Sequence, residues 1–290
     1  MEIVKYLLLG SVMLLMLGVG LRTPFAEVIN VAKRFGLVLR GVLANFLVVP
    51  LLFYLALQYL PFRPDVVIGL LIMAAVPIAP MVPPFVGMAK GDVAYSVGLM
   101  TIVALLCVPL TPLILSLCLP KSEAGLDVDT AQIIQTLLTA QLIPIGLGMA
   151  INHFSSKWTE KLLMVVPKIG QIGLAISVLM IVAAQAKVIV ELGFLPNLAV
   201  LLSIILCLFI GHWMMIGESA ERRRTLGIST AIRNVALGLL IVNSNYAGTP
   251  AVAIVLVSAM LCMVVAFAYG KLMLRMEAPG SHARKDKQTS

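Results

Sequence analysis

Arg233 lies in the middle of an apolar run, ISTAIRNVALGLL, which extends from Ile228 to Leu240. Ser229 and Thr230 precede it and Asn234 follows it directly. A guanidinium stays protonated in proteins, and its N–H groups can bind exposed helix carbonyls or grip a carboxylate with two parallel bonds. Placing an arginine at mid-membrane depth costs roughly 2.5–3.5 kcal/mol on insertion scales. We therefore expect Arg233 to have a structural or functional role that offsets this cost. The residue types predict either an anion-binding site or an electrostatic brace.

A cluster of prolines interrupts another apolar run, AAVPIAPMVPPFVGMAKGD. Each proline removes a backbone donor and clashes with the preceding turn. Their density predicts a broken helix, with a single kinked helix as the alternative. The predicted helix-breaking residues are Pro77, Pro80, Pro83 and Pro84. Asp92 follows in a position to cap the next helix.

A polar stripe runs along the apolar segment DTAQIIQTLLTAQLIP. Its side chains recur with the i, i+3, i+4, i+7 spacing of one helix face. The stripe predicts either hydrogen bonding between helices or the wall of an aqueous cleft. Its members are Gln132, Gln135, Thr136 and Thr139.

These features lie in a chain of 290 residues that is 61% hydrophobic and 12% charged, with a mean hydropathy of +1.06. Repeated apolar runs are each long enough to cross a bilayer as a helix. We therefore predict an all-α polytopic membrane protein with nine transmembrane helices. The predicted spans are Ile3–Leu21, Gly36–Tyr59, Val66–Ala89, Val93–Leu119, Ala131–Ile151, Leu162–Ala186, Leu195–Ile216, Leu226–Tyr246 and Pro250–Leu274.

The distribution of charge predicts the orientation. Most of the 21 lysines and arginines fall in alternate loops and in the C-terminal tail, so the positive-inside rule places the N-terminus outside and the C-terminus in the cytoplasm. The net charge of +8 then reflects topology anchors facing membrane lipid, and we expect no nucleic-acid partner. All 13 acidic residues lie in loops, at helix ends or in the tail. The four cysteines are predicted to be core residues without a metal site or disulfide.

A similar unit occurs twice: a helix, an interrupted helix, a tight turn and a long helix. The predicted topology makes the two copies inverted, because their leading helices enter from opposite sides. Inverted repeats with broken helices are typical of transporters, with a binding site where the unwound pieces meet. Broken backbone at that depth must line a cavity or be buried in protein.

On the stretches MLGVGL, MAKGDVAYSVGL and AIRNVALGLLI, the chain resembles the bile acid:sodium symporter family. The resemblance implies the nine-helix form, with a core of two inverted repeats that carry crossed discontinuous helices, and a panel domain. It also implies organic anions, such as bile acids and other carboxylates, as substrates. The expected divisions are panel 1–35, core repeat 36–119, panel 120–186, core repeat 187–274 and a disordered cytoplasmic tail 275–290.

The family's sodium ligands are poorly retained. The resemblance implies a Ser-Asn pair where Val82 and Pro83 stand, and a threonine at Met100. It implies a glutamate at Ser229 and a glutamine at Arg233. We therefore expect both sodium sites to be lost, with no metal bound, and Arg233 to supply the positive charge instead.

Other polar residues, most of them at the family's site positions, are expected to be neighbours of Arg233. Each could alternatively cap a helix or bond a neighbouring helix. The candidate substrate-binding residues are Arg233, Asn234, Asn45, Ser96, Ser229 and Thr230.

The expected function is secondary transport of small organic anions by alternating access, without strict sodium coupling. The alternatives are a sodium-coupled symporter with a rebuilt ion site, and a non-transporting membrane sensor or channel. No nucleophile elbow, zinc-protease motif or phosphate loop is present, so we expect neither an enzyme nor a cofactor. We expect a bacterial inner membrane, while the anion, the direction of flux and the oligomeric state stay open.

Overall fold

The computed structural model of the chain describes residues 2–119 and 130–277, and the regular elements in these two parts are all helices. The predicted disordered tail falls mostly on residues 278–290, outside the described residues. The helices are α1 Glu2–Arg22, α2 Phe25–Ala32, α3 Phe35–Leu43, α4 Val49–Tyr59, α5 Pro64–Ala75, α6 Val82–Met88, α7 Val93–Cys118, α8 Thr130–Leu137, α9 Ile143–Phe154, α10 Ser156–Glu191, α11 Phe194–Met214, α12 Ala220–Ala231, α13 Val235–Asn245 and α14 Pro250–Glu277.

Two π-helical turns join helices into longer rods. The turn Ala44–Val48 joins α3 to α4, and the turn Leu138–Leu142 joins α8 to α9. With these two joints counted as continuous helix, seven helices in the described residues are long and apolar enough to cross a membrane. The prediction of an all-α polytopic membrane protein is confirmed at this level. Two predicted spans are broken into the shorter pairs α5–α6 and α12–α13.

Three helices differ from the predicted spans. α2 was not predicted at all. α10 has 36 residues, from Ser156 to Glu191, and so extends beyond both ends of the predicted span Leu162–Ala186. α12 begins at Ala220, which places Arg222, Arg223 and Arg224 in a helix and not in a loop. Charged residues such as lysine, arginine and glutamate favour helix, so they extend a helix beyond its apolar segment.

Helices α1, α9 and α10 pack against one another. Glycine makes the contact between α1 and α9 possible, because a Cβ added at Gly20 would collide with the Ile145 carbonyl oxygen. A Cβ added at Gly148 would likewise collide with the Leu17 carbonyl oxygen. The backbones of these two helices therefore lie in direct contact. In the other part of the molecule, α14 packs against α5 and α11, and α12 packs along α11.

Candidate functional site

The two broken helices cross at their interruptions. Residues 76–81 separate α5 from α6, and residues 232–234 separate α12 from α13. The two unwound segments run antiparallel: the Ala79 N–H donates to the Ile232 carbonyl over 3.0 Å, and the Asn234 N–H donates to the Pro77 carbonyl over 2.7 Å. Four helix ends therefore meet at one buried point, and each segment satisfies backbone groups of the other.

Proline chemistry explains the first interruption. Pro77 and Pro80 lie within the unwound segment, where neither can donate a helical hydrogen bond. Pro83 and Pro84 lie instead in the first turn of α6, where the backbone N–H would have no intrahelical partner. Two of the four predicted residues thus lie in the break, and two begin the helix that follows it.

Asparagine chemistry starts the helix after the second interruption. The Asn234 side-chain oxygen accepts a hydrogen bond of 3.1 Å from the Leu237 N–H, which is an N-cap of α13. This buried cap gives Asn234 a structural role at the crossing.

Arg233 joins the two interrupted helices electrostatically. Its side chain is only 4% exposed, and its Nη1 donates a hydrogen bond of 2.8 Å to the Val76 carbonyl, directly after α5. α5 and α12 both end at the crossing, and the C-terminus of a helix carries partial negative charge. A guanidinium at this point therefore complements two helix ends at once.

One edge of the same guanidinium is available for another partner. No hydrogen-bond acceptor in the described residues contacts Nε or Nη2. These two groups form the side of the guanidinium that binds a carboxylate bidentately. Arg233 thus has one group that braces the crossing and one edge with unused donors.

Arg233 lines a small cavity of about 10 Å³. The cavity lies among α4, α5, α11 and α14, and the Cys207 thiol in its wall interacts with Arg233 both electrostatically and as a weak side-chain hydrogen-bond partner. The other lining residues are Phe53, Met73, Ser203, Ile204, Ala231, Ser258 and Cys262. A space of this size is close to the minimum for one water molecule, so the site in this conformation holds only a very small group.

Two larger cavities lie in series with this one, as their shared lining residues show. Phe53 and Ser203 also line an apolar groove of about 220 Å³ between α4 and α11. Phe62 and Leu195 are shared by that groove and a third cavity of about 300 Å³, whose wall includes Arg63. The three spaces form a series from the loop between α4 and α5 to the guanidinium.

Of the six predicted substrate-binding residues, only Arg233 lines the small cavity. Ser229 and Thr230 are fully buried on α12, and Thr230 faces α11, where a Cβ added at Gly211 would lie 2.7 Å from its Oγ1. Asn45 and Ser96 are also fully buried, on the first π-helical turn and on α7. Their surroundings are therefore other helices and not the space beside the guanidinium.

Four buried oxygens of the predicted substrate-binding residues have no hydrogen-bond partner in the described residues. No donor in the described residues contacts Asn45 Oδ1, and Ser96 Oγ and Ser229 Oγ have no hydrogen-bond partner there. Thr230 Oγ1 also has no hydrogen-bond partner in the described residues. Unpaired buried oxygens cost free energy, so each calls for an explanation.

The predicted cleft wall lies apart from the crossing, on α8 and the π-helical turn after it, which pack against α7. Gln135 is exposed, while Gln132, Thr136 and Thr139 are half-buried. The Thr139 hydroxyl donates to the Gln135 carbonyl over 2.8 Å, within its own helix. The stripe is thus partly open to the surroundings.

A polar residue that sequence analysis missed lies on the opposite face of that turn. Gln141 is 1% exposed, and its Nε2 donates to the Ala104 carbonyl of α7. Farther along α7, the Thr111 hydroxyl donates over 2.9 Å to the Ala75 carbonyl, at the end of α5. Cys107 lies between them, with its Sγ 3.1 Å from the Thr111 Oγ1. α7 therefore carries a polar connection from the Gln141 turn to the helix crossing.

A sequence signal for both buried amides exists. Asn45 and Gln141 each lie in a π-helical turn and precede a proline, Pro50 or Pro144, by a few residues. Proline frees a carbonyl in the preceding turn, and π-helical turns are frequent at functional sites. An amide shortly before a proline in an apolar run is thus a usable indicator.

The turn between α6 and α7 connects the first broken helix to α12. Lys90 adopts a positive φ of 51°, and the Asp92 carboxylate accepts a hydrogen bond of 2.9 Å from the Tyr95 N–H. The predicted cap is confirmed. The Asp92 N–H donates to the Thr225 hydroxyl over 2.8 Å, and a Cβ at Gly91 would lie 2.7 Å from that oxygen. The motif MAKGDVAYSV thus encodes a tight turn against α12.

Comparison with known proteins identifies the family to which the chain belongs. The profile of the Sodium Bile acid symporter family matches residues 9–192. The chain belongs to that family. This membership confirms the resemblance read from the three motifs, and it agrees with a transporter rather than an enzyme.

Two relatives within this group of symporters extend over most of the chain. One is the "Probable sodium/metabolite cotransporter BASS2, chloroplastic" of Oryza sativa subsp. japonica, 25% identical over 87% of this chain. The chain spans 59% of the length of that relative. The other is the "Uncharacterized sodium-dependent transporter YocS" of Bacillus subtilis (strain 168), 22% identical over 82% of this chain and 74% of the relative.

Proposed function

We propose that this member of the symporter family is a secondary transporter of small organic anions that works by alternating access. The seven long helices and the two broken ones make nine crossings in this proposal. The N-terminus lies outside, and α1, α8, α9 and α10 form a panel beside the core. A bacterial inner membrane is the proposed location, and one of the two relatives above is bacterial.

The single observation that carries the proposal is that Arg233 uses only some of its N–H donors within the protein. Its Nη1 braces the crossing through the Val76 carbonyl, and its Nε–Nη2 edge has no acceptor in the described residues. A carboxylate would fit that edge with two charge-assisted hydrogen bonds. The names of the two relatives describe them as sodium-dependent or sodium-cotransporting proteins. In this chain a fixed guanidinium supplies positive charge at the crossing. We therefore propose that sodium is not strictly required.

Alternating access is needed because the cavity beside Arg233 holds only about 10 Å³. The body of an organic anion would occupy the neighbouring groove of about 220 Å³. Phe53 lines both spaces, so a change in its position would join them. The structure then corresponds to a closed conformation, and an open one would widen the space at Phe53 and Ser203.

Uptake into proteoliposomes tests the coupling. We expect carboxylate uptake to persist when external sodium is replaced by choline, and to be accelerated by unlabelled anion on the opposite side. An absolute and cooperative sodium requirement would contradict the proposal.

The role of Arg233 is tested by Arg233→Gln, with Arg275→Gln as the matched control. Arg275 is an exposed arginine in the last turn of α14 and lines none of the three cavities, so its loss leaves the crossing and the cavities intact. We expect Arg233→Gln to weaken carboxylate binding at least tenfold, and Arg275→Gln to change it less than twofold. Arg233→Lys separates charge from geometry, because an ammonium lacks the planar two-donor edge. Unchanged binding in all three variants would reduce Arg233 to a brace.

A sodium-coupled symporter with a rebuilt ion site is the second candidate. It is favoured by the partnerless oxygens of Asn45, Ser96 and Ser229, since neutral oxygens are suitable ligands for a hard cation. Thermal unfolding in sodium and in choline salts of one anion distinguishes the two. Sodium-specific stabilisation that Ser229→Ala removes would favour this second candidate.

A further inference from the structure

The charge of Arg233 is only partly balanced by the protein. None of the ion pairs in the described residues includes Arg233, and the cavity that it lines has no acidic residue in its wall. The helix C-termini at the crossing offset part of the charge on the Val76 side. The N–H groups of the Nε–Nη2 edge have no hydrogen-bond acceptor in the described residues. A buried charge without a partner is costly, so this edge favours an anion beside it.

The wall of the small cavity suits an anion better than a cation. Besides the guanidinium it contains two hydroxyls, Ser203 and Ser258, and two thiols, Cys207 and Cys262. The hydroxyls donate to Val200 and Ile254 of their own helices. Their hydrogens are free to rotate, so either can be redirected toward an anion. Two hydroxyls, two weakly donating thiols and one permanent cation surround the space, with the Cys262 thiol donating to the Ala259 carbonyl. A cation there would meet Arg233 directly.

The size of the space selects the kind of anion. A volume of about 10 Å³ is near the lower limit for one water molecule, so a carboxylate, phosphate or sulfate does not fit without rearrangement. A monatomic anion needs the least additional space and accepts from both donors of the guanidinium edge. Its single charge matches the single positive charge of Arg233.

We propose that Arg233 binds one halide ion, chloride in a cell, at its Nε–Nη2 edge whenever no organic anion occupies the site. The bound chloride neutralises the guanidinium and stabilises the closed crossing. An organic carboxylate then displaces the chloride, because both use the same edge. The inference rests on the geometry of Arg233 and holds whether or not an organic anion is transported.

Thermal unfolding of the purified full chain in detergent tests this binding. The buffers contain choline chloride or choline methanesulfonate at constant ionic strength, so that sodium and organic carboxylates are absent. We expect chloride to raise Tm in a saturable way by a few degrees, because a ligand of the native state stabilises it. Bromide is expected to replace chloride, and methanesulfonate is not.

Two arginine variants show whether the response belongs to this site. Arg233→Gln is expected to abolish the chloride response, and the exposed control Arg275→Gln to retain it. Equal Tm values in chloride and methanesulfonate for the unmodified chain would overturn the inference. A chloride response that persists in Arg233→Gln would overturn it equally.

A second variant and a direct measurement cover the case in which Arg233→Gln does not fold. Ser203 is half-buried, and Ser203→Val fills part of the cavity while keeping the arginine. We expect the chloride concentration for half-maximal stabilisation to rise at least tenfold in this variant. Bromide-soaked crystals should give an anomalous peak within hydrogen-bonding distance of the Arg233 Nε and Nη2. A water molecule at that place, without an anomalous peak, would refute the proposal.

The outcome separates this inference from the proposed transport function. If carboxylates bind and are transported while chloride has no effect, the halide site is wrong and the transport proposal stands. If chloride binds to Arg233 and no carboxylate competes with it, the halide site stands and the organic-anion function fails.

Discussion

Replacing Thr111 by valine should loosen the helix crossing from a distance. The Thr111 hydroxyl is fully buried and donates over 2.9 Å to the Ala75 carbonyl. In an unbroken helix that carbonyl would accept from the Ala79 N–H, but Ala79 donates to Ile232 across the crossing. Valine therefore leaves a buried carbonyl without its donor, at a cost of about 1–3 kcal/mol. For a chain of this size we expect Tm to fall by roughly 2–12 °C.

Thermal unfolding in detergent, followed by intrinsic fluorescence, measures the effect. The matched control is Thr159→Val, because the Thr159 hydroxyl also donates to a backbone carbonyl, that of Ser155, over 2.9 Å. The Ser155 carbonyl keeps its bond from the Thr159 N–H, so the control should lose less than about 1 kcal/mol. Equal Tm changes in the two variants would refute the argument that the Ala75 carbonyl depends on Thr111.

Three further substitutions test particular contacts by the same measurement. Gly20→Leu should prevent the close contact of α1 with α9 and abolish or severely lower folded yield, whereas Gly10→Leu should be tolerated because nothing lies within 4 Å of an added Cβ there. Tyr95→Phe should cost about 0.5–1.5 kcal/mol, since the buried Tyr95 hydroxyl donates to the Leu37 carbonyl over 2.8 Å. Lys90→Gly should leave Tm unchanged or raise it, by up to about 1 kcal/mol of stability, because glycine removes the steric cost of its positive φ.

The spans and the interruptions could be read from the sequence because their causes are local. An apolar run of sufficient length is helical in a membrane whatever it packs against. Pro77 and Pro80 lack the N–H that would continue the helix, and Asp92 caps α7 from the adjacent turn. The ends of α10 and α12 could not be predicted in the same way, because charged residues near a helix end are compatible both with helix and with a loop.

The surroundings of Arg233 could not be read from the sequence, because they depend on packing between distant segments. Ser229 and Thr230 are close to Arg233 along the chain, yet the small cavity brings it beside Phe53, Ser203 and other residues of distant helices. Gln141 was missed for a related reason. Hydropathy does not distinguish a helix face against lipid from one against another helix, and burial against α7 decides its role.

A permanent charge at the crossing restricts how the molecule can move. A dissolved cation can leave its site, but the Arg233 guanidinium cannot lose its charge, and its bond to Val76 lies within the crossing itself. The four half-helices that meet there are also joined through Ala79 and Asn234, so they should move as one body. Motion in a transport cycle would then occur at contacts between that body and its neighbours, such as those of α1 with α13 and of α10 with α14. Within the crossing, the Nε–Nη2 edge is the part of Arg233 with donors left for another partner. Under the transport proposal, an anion bound at this edge would therefore be the signal that reaches those contacts.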